Sequence, residues 1–99
     1  MKLKTFYVYI LTNKRNNVLY IGITGNIESR VWQHKNKVEK GFTNKYNITK
    51  LIYYEEYSTA SQAIAREKQL KNWKREWKFE LIKENNPNFI DLSMDWQES

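Results

Sequence analysis

The sequence contains no cysteine, one histidine, one proline and three glycines among its 99 residues. Without cysteine, neither a disulfide nor a thiolate–zinc site is possible. The chain also has no apolar stretch long enough for a signal peptide or a membrane span, so we expect a cytoplasmic protein. No repeat or linker divides it. Its length fits one domain over residues 1–99, with a core over about residues 5–84 and a tail over residues 85–99.

Positive charge and aromatic side chains are what the chain does have. The formal net charge is +6, from 17 Lys and Arg against 11 Asp and Glu, and aromatic residues make up 15% of the sequence. Basic residues are concentrated within residues 66–83, and none follows Lys83. A local positive surface favours a polyanionic partner such as nucleic acid, because phosphate contacts release condensed counterions. A solvated basic surface without such a partner is the alternative.

Hydrophobic periodicity predicts an α+β domain in the order β-β-α-β-α-α, with a small three-stranded mixed β-sheet flanked by helices. Strands are predicted over residues 6–11, 18–24 and 48–57. Helices are predicted from residue 27, after an N-cap at Asn26, to about residue 40, from residue 59 or 60 to 73, and over 75–84. Residues 42–47 are predicted to form a polar loop. The tail is expected to fold back on the core through Phe89, Ile90, Leu92 and Trp96.

The first two strands are predicted to form a hairpin that carries tyrosines. A turn over residues 13–16 places Tyr9 directly opposite Tyr20, and Tyr7 opposite Gly22. A slip of one residue would move these side chains to the other face of the sheet, so this register is a hypothesis.

Three polar residues occupy unusual positions on the predicted helices. Glu67 falls on an apolar stripe, three residues from both Ile64 and Leu70, where an unpaired carboxylate is costly. It is either a boundary residue that reaches solvent or pairs with an arginine, or a ligand of Mg²⁺ or Mn²⁺. His34 also lies on an apolar stripe, with Arg30 one turn earlier. The pair can bind phosphate and move a proton, or His34 can be a satisfied core histidine.

These features together form a more specific set than any of them alone: Tyr7-Val8-Tyr9, Tyr20-Ile21-Gly22, Arg30, His34 and Glu67. The set resembles the GIY-YIG endonuclease superfamily, and the whole chain is similar to its small stand-alone YhbQ-like bacterial branch. The resemblance covers nearly all of residues 5–92. The first triplet departs from the family pattern, since it is Tyr-Val-Tyr rather than Gly-Ile-Tyr. The family's later asparagine has no secure match, and the candidates are Asn72, Asn85 and Asn86.

The resemblance implies a metal-dependent DNA endonuclease with Mg²⁺ or Mn²⁺ as cofactor. By the family's motifs, the catalytic residues are Tyr9, Tyr20, Arg30, His34 and Glu67, and Glu67 is the metal ligand. Tyr9 is expected to act as a tyrosinate that takes a proton from the attacking water, which requires a nearby cation to lower its pKa from about 10. Arg30 is expected to stabilise charge on the phosphate, and Tyr20 to orient the water or the phosphate.

The expected partner is DNA, with duplex, branched and single-stranded forms all open, and the expected state is a monomer. The nucleic-acid-binding residues are predicted to be Lys45, Lys71, Lys74, Arg75 and Lys78. Few residues are available to contact base edges, so we expect little sequence preference. A structure-selective role in DNA repair or recombination fits this picture. The alternatives are a non-catalytic nucleic-acid-binding module, in which an exposed Trp32 or Trp73 stacks on bases, and a protein-interaction adaptor. Packing in the core is the expected role of both tryptophans.

Overall fold

Across residues 4–37 and 41–96, which a computed structural model describes, the chain forms three strands and four helices. The strands are β1 (Phe6–Thr12), β2 (Leu19–Thr24) and β3 (Lys50–Tyr57), and the helices are α1 (Ile27–Lys35), α2 (Phe42–Lys45), α3 (Ala60–Asn72) and α4 (Arg75–Asn85). The predicted α+β class and element order are confirmed. The short helix α2 lies in the segment that was predicted to be loop. None of the helices in these ranges is long and apolar enough to cross a bilayer.

The sheet has the strand order β2-β1-β3, with β1 at its centre. Both pairings are antiparallel, so the prediction of a mixed sheet is wrong. Strands β2 and β3 run in the same direction, but β1 separates them, and no parallel pair forms within the described sheet. The last five residues of β1 are all buried, as expected for a central strand covered on both faces.

Each face of the sheet packs against different helices, because successive side chains of a strand point to opposite sides. On one face, Val8 and Ile10 join a core with residues of α3 and α4. On the other face, Tyr9 and Leu11 pack against Ile27 of α1 and its neighbours. The buried residues of the first core cluster are Val8, Ile10, Ile21, Ile52, Tyr53, Ala63, Leu70 and Ile82. Those of the second are Tyr9, Leu11, Ile27, Val31, Ile48 and Leu51.

The hairpin register differs from the prediction by two residues. Tyr9 pairs with Gly22, and Leu11 pairs with Tyr20. The turn is longer than expected because the side chain of Asn13 closes it, accepting from the backbone N–H of residue 17 at 3.0 Å and that of residue 18 at 3.3 Å. Since side chains alternate with a period of two, this shift keeps Tyr9 and Tyr20 on one face, as diagonal rather than direct neighbours.

Helix α1 begins as predicted and ends early. The side chain of Asn26 accepts a hydrogen bond from the backbone N–H of residue 29 at 3.1 Å, as an N-cap does. The helix ends at Lys35, and the side chain of Asn36 then donates to a backbone carbonyl one turn earlier at 2.8 Å. Lys37 has a φ of 53°, which is incompatible with a continuing helix. The prediction of a helix to residue 40 is therefore wrong, and residues 38–40 lie outside the described ranges.

The tail folds back on both core clusters. Phe89 packs against the core beneath α3 and α4, and Trp96 packs against the core beneath α1, as predicted. Ile90 and Leu92 are exposed instead, so their predicted packing is wrong. They face solvent because the tail is held by its polar groups, including a hydrogen bond from the backbone N–H of Leu92 to the carbonyl oxygen of Leu51 at 2.7 Å.

Asp91 is the main polar anchor of this tail. Its carboxylate accepts a hydrogen bond from Lys35 Nζ at 2.5 Å, from Ser93 Oγ at 2.6 Å and from the backbone N–H of Leu51 at 3.3 Å. Burial alone would raise the pKa of Asp91, but the hydrogen bonds from Lys35 and Ser93 outweigh it and lower that pKa. Asp91 thus joins the tail to α1 and β3 as a charged group.

Candidate active site

Tyr9 occupies the centre of the candidate site. It lies on β1 with 1% of its surface exposed, and its ring covers the backbone of Gly22 on the neighbouring strand. A Cβ atom added at residue 22 would lie 2.5 Å from Tyr9 Cζ and closer still to the hydroxyl oxygen. Gly22 is therefore the residue that makes room for the Tyr9 ring. The sequence prediction placed Tyr7 rather than Tyr9 opposite Gly22, because its register was two residues out.

Helix α1 brings two polar side chains to the Tyr9 hydroxyl. Arg30 Nε donates to the hydroxyl oxygen at 3.4 Å, and His34 Nε2 lies 3.2 Å from the same oxygen. The two residues are one turn apart on the helix, so they present their side chains to the same place. The helix packs on the face of the sheet that carries Tyr9, which explains why the three groups converge.

His34 is buried among aromatic rings. Its ring centroid lies 5.4 Å from that of Tyr20 and 6.0 Å from that of Tyr9. The second ring nitrogen, Nδ1, lies 3.0 Å from the hydroxyl oxygen of Thr43 on α2. Tyr20 thus flanks the imidazole, and Thr43 contacts it on the side away from Tyr9.

Thr43 and Gln33 also contact the candidate site, and neither was predicted from the sequence. Gln33 Oε1 accepts from Arg30 Nη1 at 2.9 Å, and the spacing of three residues along a helix was a signal that could have identified it. Thr43 offered no comparable signal. It lies nine residues from His34, beyond the end of α1, in a segment that was predicted to be loop.

Glu67 lies on α3, at the border of the buried stripe rather than within it. Ala63 and Leu70 are fully buried, whereas Ile64 is 42% exposed, so the apolar stripe is narrower than predicted. The Glu67 side chain is 17% exposed, and its Oε2 atom lies 3.4 Å from Lys71 Nζ. It is therefore a boundary carboxylate that pairs with a lysine rather than with an arginine.

The pKa of Tyr9 is raised to about 12. Burial is the largest cause, the hydrogen bond from Arg30 acts in the opposite direction, and the charges of Tyr20 and Glu67 add to the rise. The expected lowering of this pKa is therefore wrong, because one long hydrogen bond from a cation does not offset the burial of the phenol. At neutral pH Tyr9 keeps its proton.

The donor chemistry at Glu67 fits a hard divalent cation held jointly with substrate. Within residues 4–37 and 41–96, no three His, Asp or Glu side chains converge to form a metal cluster. Mg²⁺ commonly binds to one or two carboxylates and keeps water and substrate phosphate as its other ligands. The single partly exposed carboxylate of Glu67 meets that requirement. Its lysine partner, Lys71, has a side chain that is 53% exposed and can turn away.

The five predicted nucleic-acid-binding residues all lie at the surface, and four of them are exposed: Lys45, Lys71, Lys74 and Arg75, with Lys78 half-buried. Lys71 is adjacent to Glu67, and Lys78 Nζ reaches the backbone carbonyl of Lys71 at 3.5 Å. Arg75 donates to the backbone carbonyl of Asn17, so it also joins α4 to the hairpin turn. Lys74 lies over the ring of Trp77, 5.5 Å from its centroid.

The two tryptophans predicted to stack on bases or pack in the core, and one candidate for the family's later asparagine, lie in different environments. Trp32 is 58% exposed, so its predicted packing in the core is wrong, whereas Trp73 is half-buried against the core. Asn86 is buried, and its side-chain amide bonds only backbone groups, donating at 3.0 Å to the carbonyl of Ile52 and at 2.8 Å to that of Ile90. It connects the tail to β3, which is a structural role.

The comparisons with known proteins agree with this fold. Residues 5–80 match the family model for the GIY-YIG catalytic domain. The chain is 36% identical over 78 residues to a UPF0213 protein of Staphylococcus haemolyticus, covering 79% of this chain and 94% of that protein. It is 38% identical over 80 residues to a UPF0213 protein of Syntrophus aciditrophicus, covering 80% and 91%. The chain therefore belongs to the GIY-YIG nuclease-domain family, and the predicted resemblance is confirmed.

A solved structure shows the same fold. The solution NMR structure of a UPF0213 protein from Bacillus halodurans superposes with a TM-score of 0.57 at 21% identity, covering 92% of this chain and 97% of that chain. Family membership implies a nuclease-type hydrolase with a nucleic-acid substrate, and enzymes of the family generally depend on a divalent metal.

Proposed function

We propose that this protein is a metal-dependent endonuclease that hydrolyses DNA phosphodiester bonds with little sequence specificity, using Tyr9, Tyr20, Arg30, His34 and Glu67. The observation that carries the proposal is the Tyr9 hydroxyl, which lies between Arg30 Nε at 3.4 Å and His34 Nε2 at 3.2 Å. A phenol, a guanidinium and an imidazole at one point provide the groups needed to move a proton beside a phosphate.

Access to the Tyr9 hydroxyl depends on Arg30. The tyrosine is almost fully buried, and the guanidinium lies against its oxygen. The hydrogen bond of 3.4 Å is longer than the usual range for N–H···O, so it is weak and is given up at small cost. In this mechanism the guanidinium turns to the substrate phosphate, which uncovers the hydroxyl and stabilises the negative charge that develops on the phosphate.

Proton transfer then runs through Tyr9 to His34. With its pKa raised to about 12, Tyr9 cannot supply a standing tyrosinate at neutral pH. Its oxygen instead accepts a proton from the attacking water while its own proton passes to His34 Nε2, an imidazole being the side chain that ordinarily takes up protons near neutral pH. The water oxygen bonds to phosphorus, the bond to the 3′-oxygen breaks, and that oxygen takes a proton from solvent.

Glu67 completes the proposed site. Its carboxylate would hold the divalent ion, whose chemistry when bound is to neutralise charge on a phosphate oxygen and on the leaving 3′-oxygen. Lys71, freed from its ion pair with Glu67, contacts the DNA backbone with Lys45, Lys74, Arg75 and Lys78. Tyr20, beside the imidazole, orients the water or the phosphate.

The test is cleavage of labelled duplex, single-stranded, flap and junction DNA with Mg²⁺ or Mn²⁺. The wild type is compared with Glu67→Ala and Arg30→Ala, and with Glu84→Ala as a matched control at an exposed position of α4. We expect product that depends on metal, loss of about 100-fold or more in both site variants, and no change in the control.

Two results would contradict the proposal. Wild-type cleavage by folded Glu67→Ala and Arg30→Ala variants would show that the activity arises elsewhere. Salt-sensitive DNA binding with no metal-dependent product after long incubation would instead identify a non-catalytic nucleic-acid-binding module.

A further inference from the structure

The direction of the Tyr9 hydroxyl proton can be deduced from its two described partners. Arg30 Nε carries a hydrogen and has no acceptor lone pair, so it can only donate to the phenol oxygen. The other partner is His34 Nε2, at 3.2 Å. Tyr9 is 1% exposed, which leaves His34 Nε2 as the acceptor for its proton within this cluster.

A defined tautomer of His34 follows from this direction. If Nε2 accepts from Tyr9, then Nε2 has no proton, and the neutral ring carries its hydrogen on Nδ1. Nδ1 lies 3.0 Å from Thr43 Oγ1, at hydrogen-bond distance from an oxygen that can accept. The direction of each bond is then consistent along the whole series, from Arg30 to Tyr9, to His34 and to Thr43.

We propose that Thr43 is a positioning residue, which acts together with Tyr9 to hold His34 as the Nδ1–H tautomer so that Nε2 remains open to the proton of Tyr9. Its part in cleavage rests on the proposed function. A histidine held in the other tautomer would present an N–H to Tyr9 and could not take its proton, so loss of the tautomer would slow the reaction without removing any group that touches substrate.

The backbone around Thr43 is held independently of its side chain. The carbonyl oxygen of Thr43 accepts from the backbone N–H of Ile48 at 2.9 Å, and Ile48 is fully buried in the core beneath α1. The N–H of Lys45 donates to the carbonyl of Gly41 at 2.9 Å. A change of the Thr43 hydroxyl therefore tests its bond to His34 with the chain path of α2 retained.

The direct test is ¹⁵N NMR of the imidazole, in the free protein without DNA or metal. His34 is the chain's one histidine, so its two ring nitrogens need no assignment among competitors. At a pH where the ring is neutral, we expect the proton on Nδ1 in the wild type and in Thr43→Ser, which keeps the hydroxyl. In Thr43→Val we expect a mixture of tautomers or the Nε2–H form. Thr49→Val, a matched change six residues away, should leave the wild-type pattern.

Cleavage kinetics provide the second measurement. We expect Thr43→Val to lower kcat by about tenfold or more with little change in KM. Thr43→Ser, which keeps the hydroxyl, should have a kcat close to that of the wild type. A wild-type His34 in the Nε2–H form would overturn the proposal, and so would a Thr43→Val variant in which His34 keeps the wild-type tautomer. Because the NMR experiment needs no substrate, a protein with the expected tautomer but no nuclease activity would refute the proposed function and support the assignment of the tautomer.

Discussion

Replacing Gly22 by alanine should move Tyr9 away from its partners. The new Cβ would lie 2.5 Å from Tyr9 Cζ and 3.0 Å from Cε1, whereas ordinary contacts begin near 3.4 Å. The ring must therefore move by roughly 1 Å, or the two strands must separate. Such a shift is large beside the 3.2 Å contact between the Tyr9 hydroxyl and His34 Nε2. We expect a loss of about 1–3 kcal/mol in the free energy of unfolding and about 100-fold in the rate of cleavage.

Urea unfolding and single-turnover cleavage measure these two effects. Gly25→Ala is the matched control, since a Cβ at residue 25 meets nothing within 4 Å and the change has a similar effect on the unfolded chain. The Tyr9→Ala variant lacks the ring that the new Cβ would meet. In a Tyr9→Ala background, Gly22→Ala should therefore lower the free energy of unfolding no more than Gly25→Ala does. If Gly22→Ala unfolds at the same urea concentration as Gly25→Ala and cleaves DNA at the wild-type rate, the close approach of Tyr9 to Gly22 is not a constraint.

Three further predictions concern charged and titrating groups. The lowered pKa of Asp91 stabilises the fold above the ordinary carboxyl pKa, and this contribution is lost as pH falls through the lowered value. Asp91→Asn should therefore lower the urea midpoint at pH 7 and flatten the acid limb of stability against pH. Arg66 donates to both carboxylate oxygens of Glu55 at 2.9 Å, so Arg66→Ala should cost about 1–3 kcal/mol in thermal or urea unfolding, with cleavage unchanged. The raised pKa of Tyr9 means that its hydroxyl stays protonated to a higher pH in the folded state than in the unfolded chain. The free energy of unfolding should therefore decrease as the pH rises from 10 to about 12, and this decrease should be smaller in Tyr9→Phe.

The hairpin shows how far a sequence pattern determines the site. The predicted hairpin register placed Tyr9 and Tyr20 on one face of the sheet, and the structure keeps them there with ring centroids 6.3 Å apart. The pairing between strands was wrong because it depends on the turn, and the turn is closed by the side chain of Asn13. An error of two residues preserves the face of every side chain and changes every cross-strand partner. Sequence periodicity thus predicts faces more securely than neighbours.

Contacts between distant segments explain the residues that the sequence did not identify. The stripe on α1 indicated that His34 faces the core, but not which group would contact its outer nitrogen. That group, Thr43, belongs to a four-residue helix held in place by a backbone bond to Ile48. Helices this short carry no periodic signal, and their positions follow from the packing of the elements around them. The position of Glu67 was predicted more closely, since the spacing along α3 placed it on the apolar stripe and the structure places it at the border of that stripe.

The ionisation of Tyr9 is the point at which packing changes the expected chemistry. Matching the sequence to a family indicates a catalytic tyrosine, and a neighbouring arginine suggests a lowered pKa. The packing that requires Gly22 also buries the phenol, however, and burial acts more strongly on its pKa than the single long hydrogen bond from Arg30. A tyrosine in this environment cannot serve as a base by itself at neutral pH. Tyr9 can still accept a proton from water if its own hydroxyl proton passes to another group at the same time. His34 Nε2 lies within reach of that hydroxyl and can accept this proton. The histidine, rather than the tyrosine, is then the group whose protonation should stop the reaction as the pH falls.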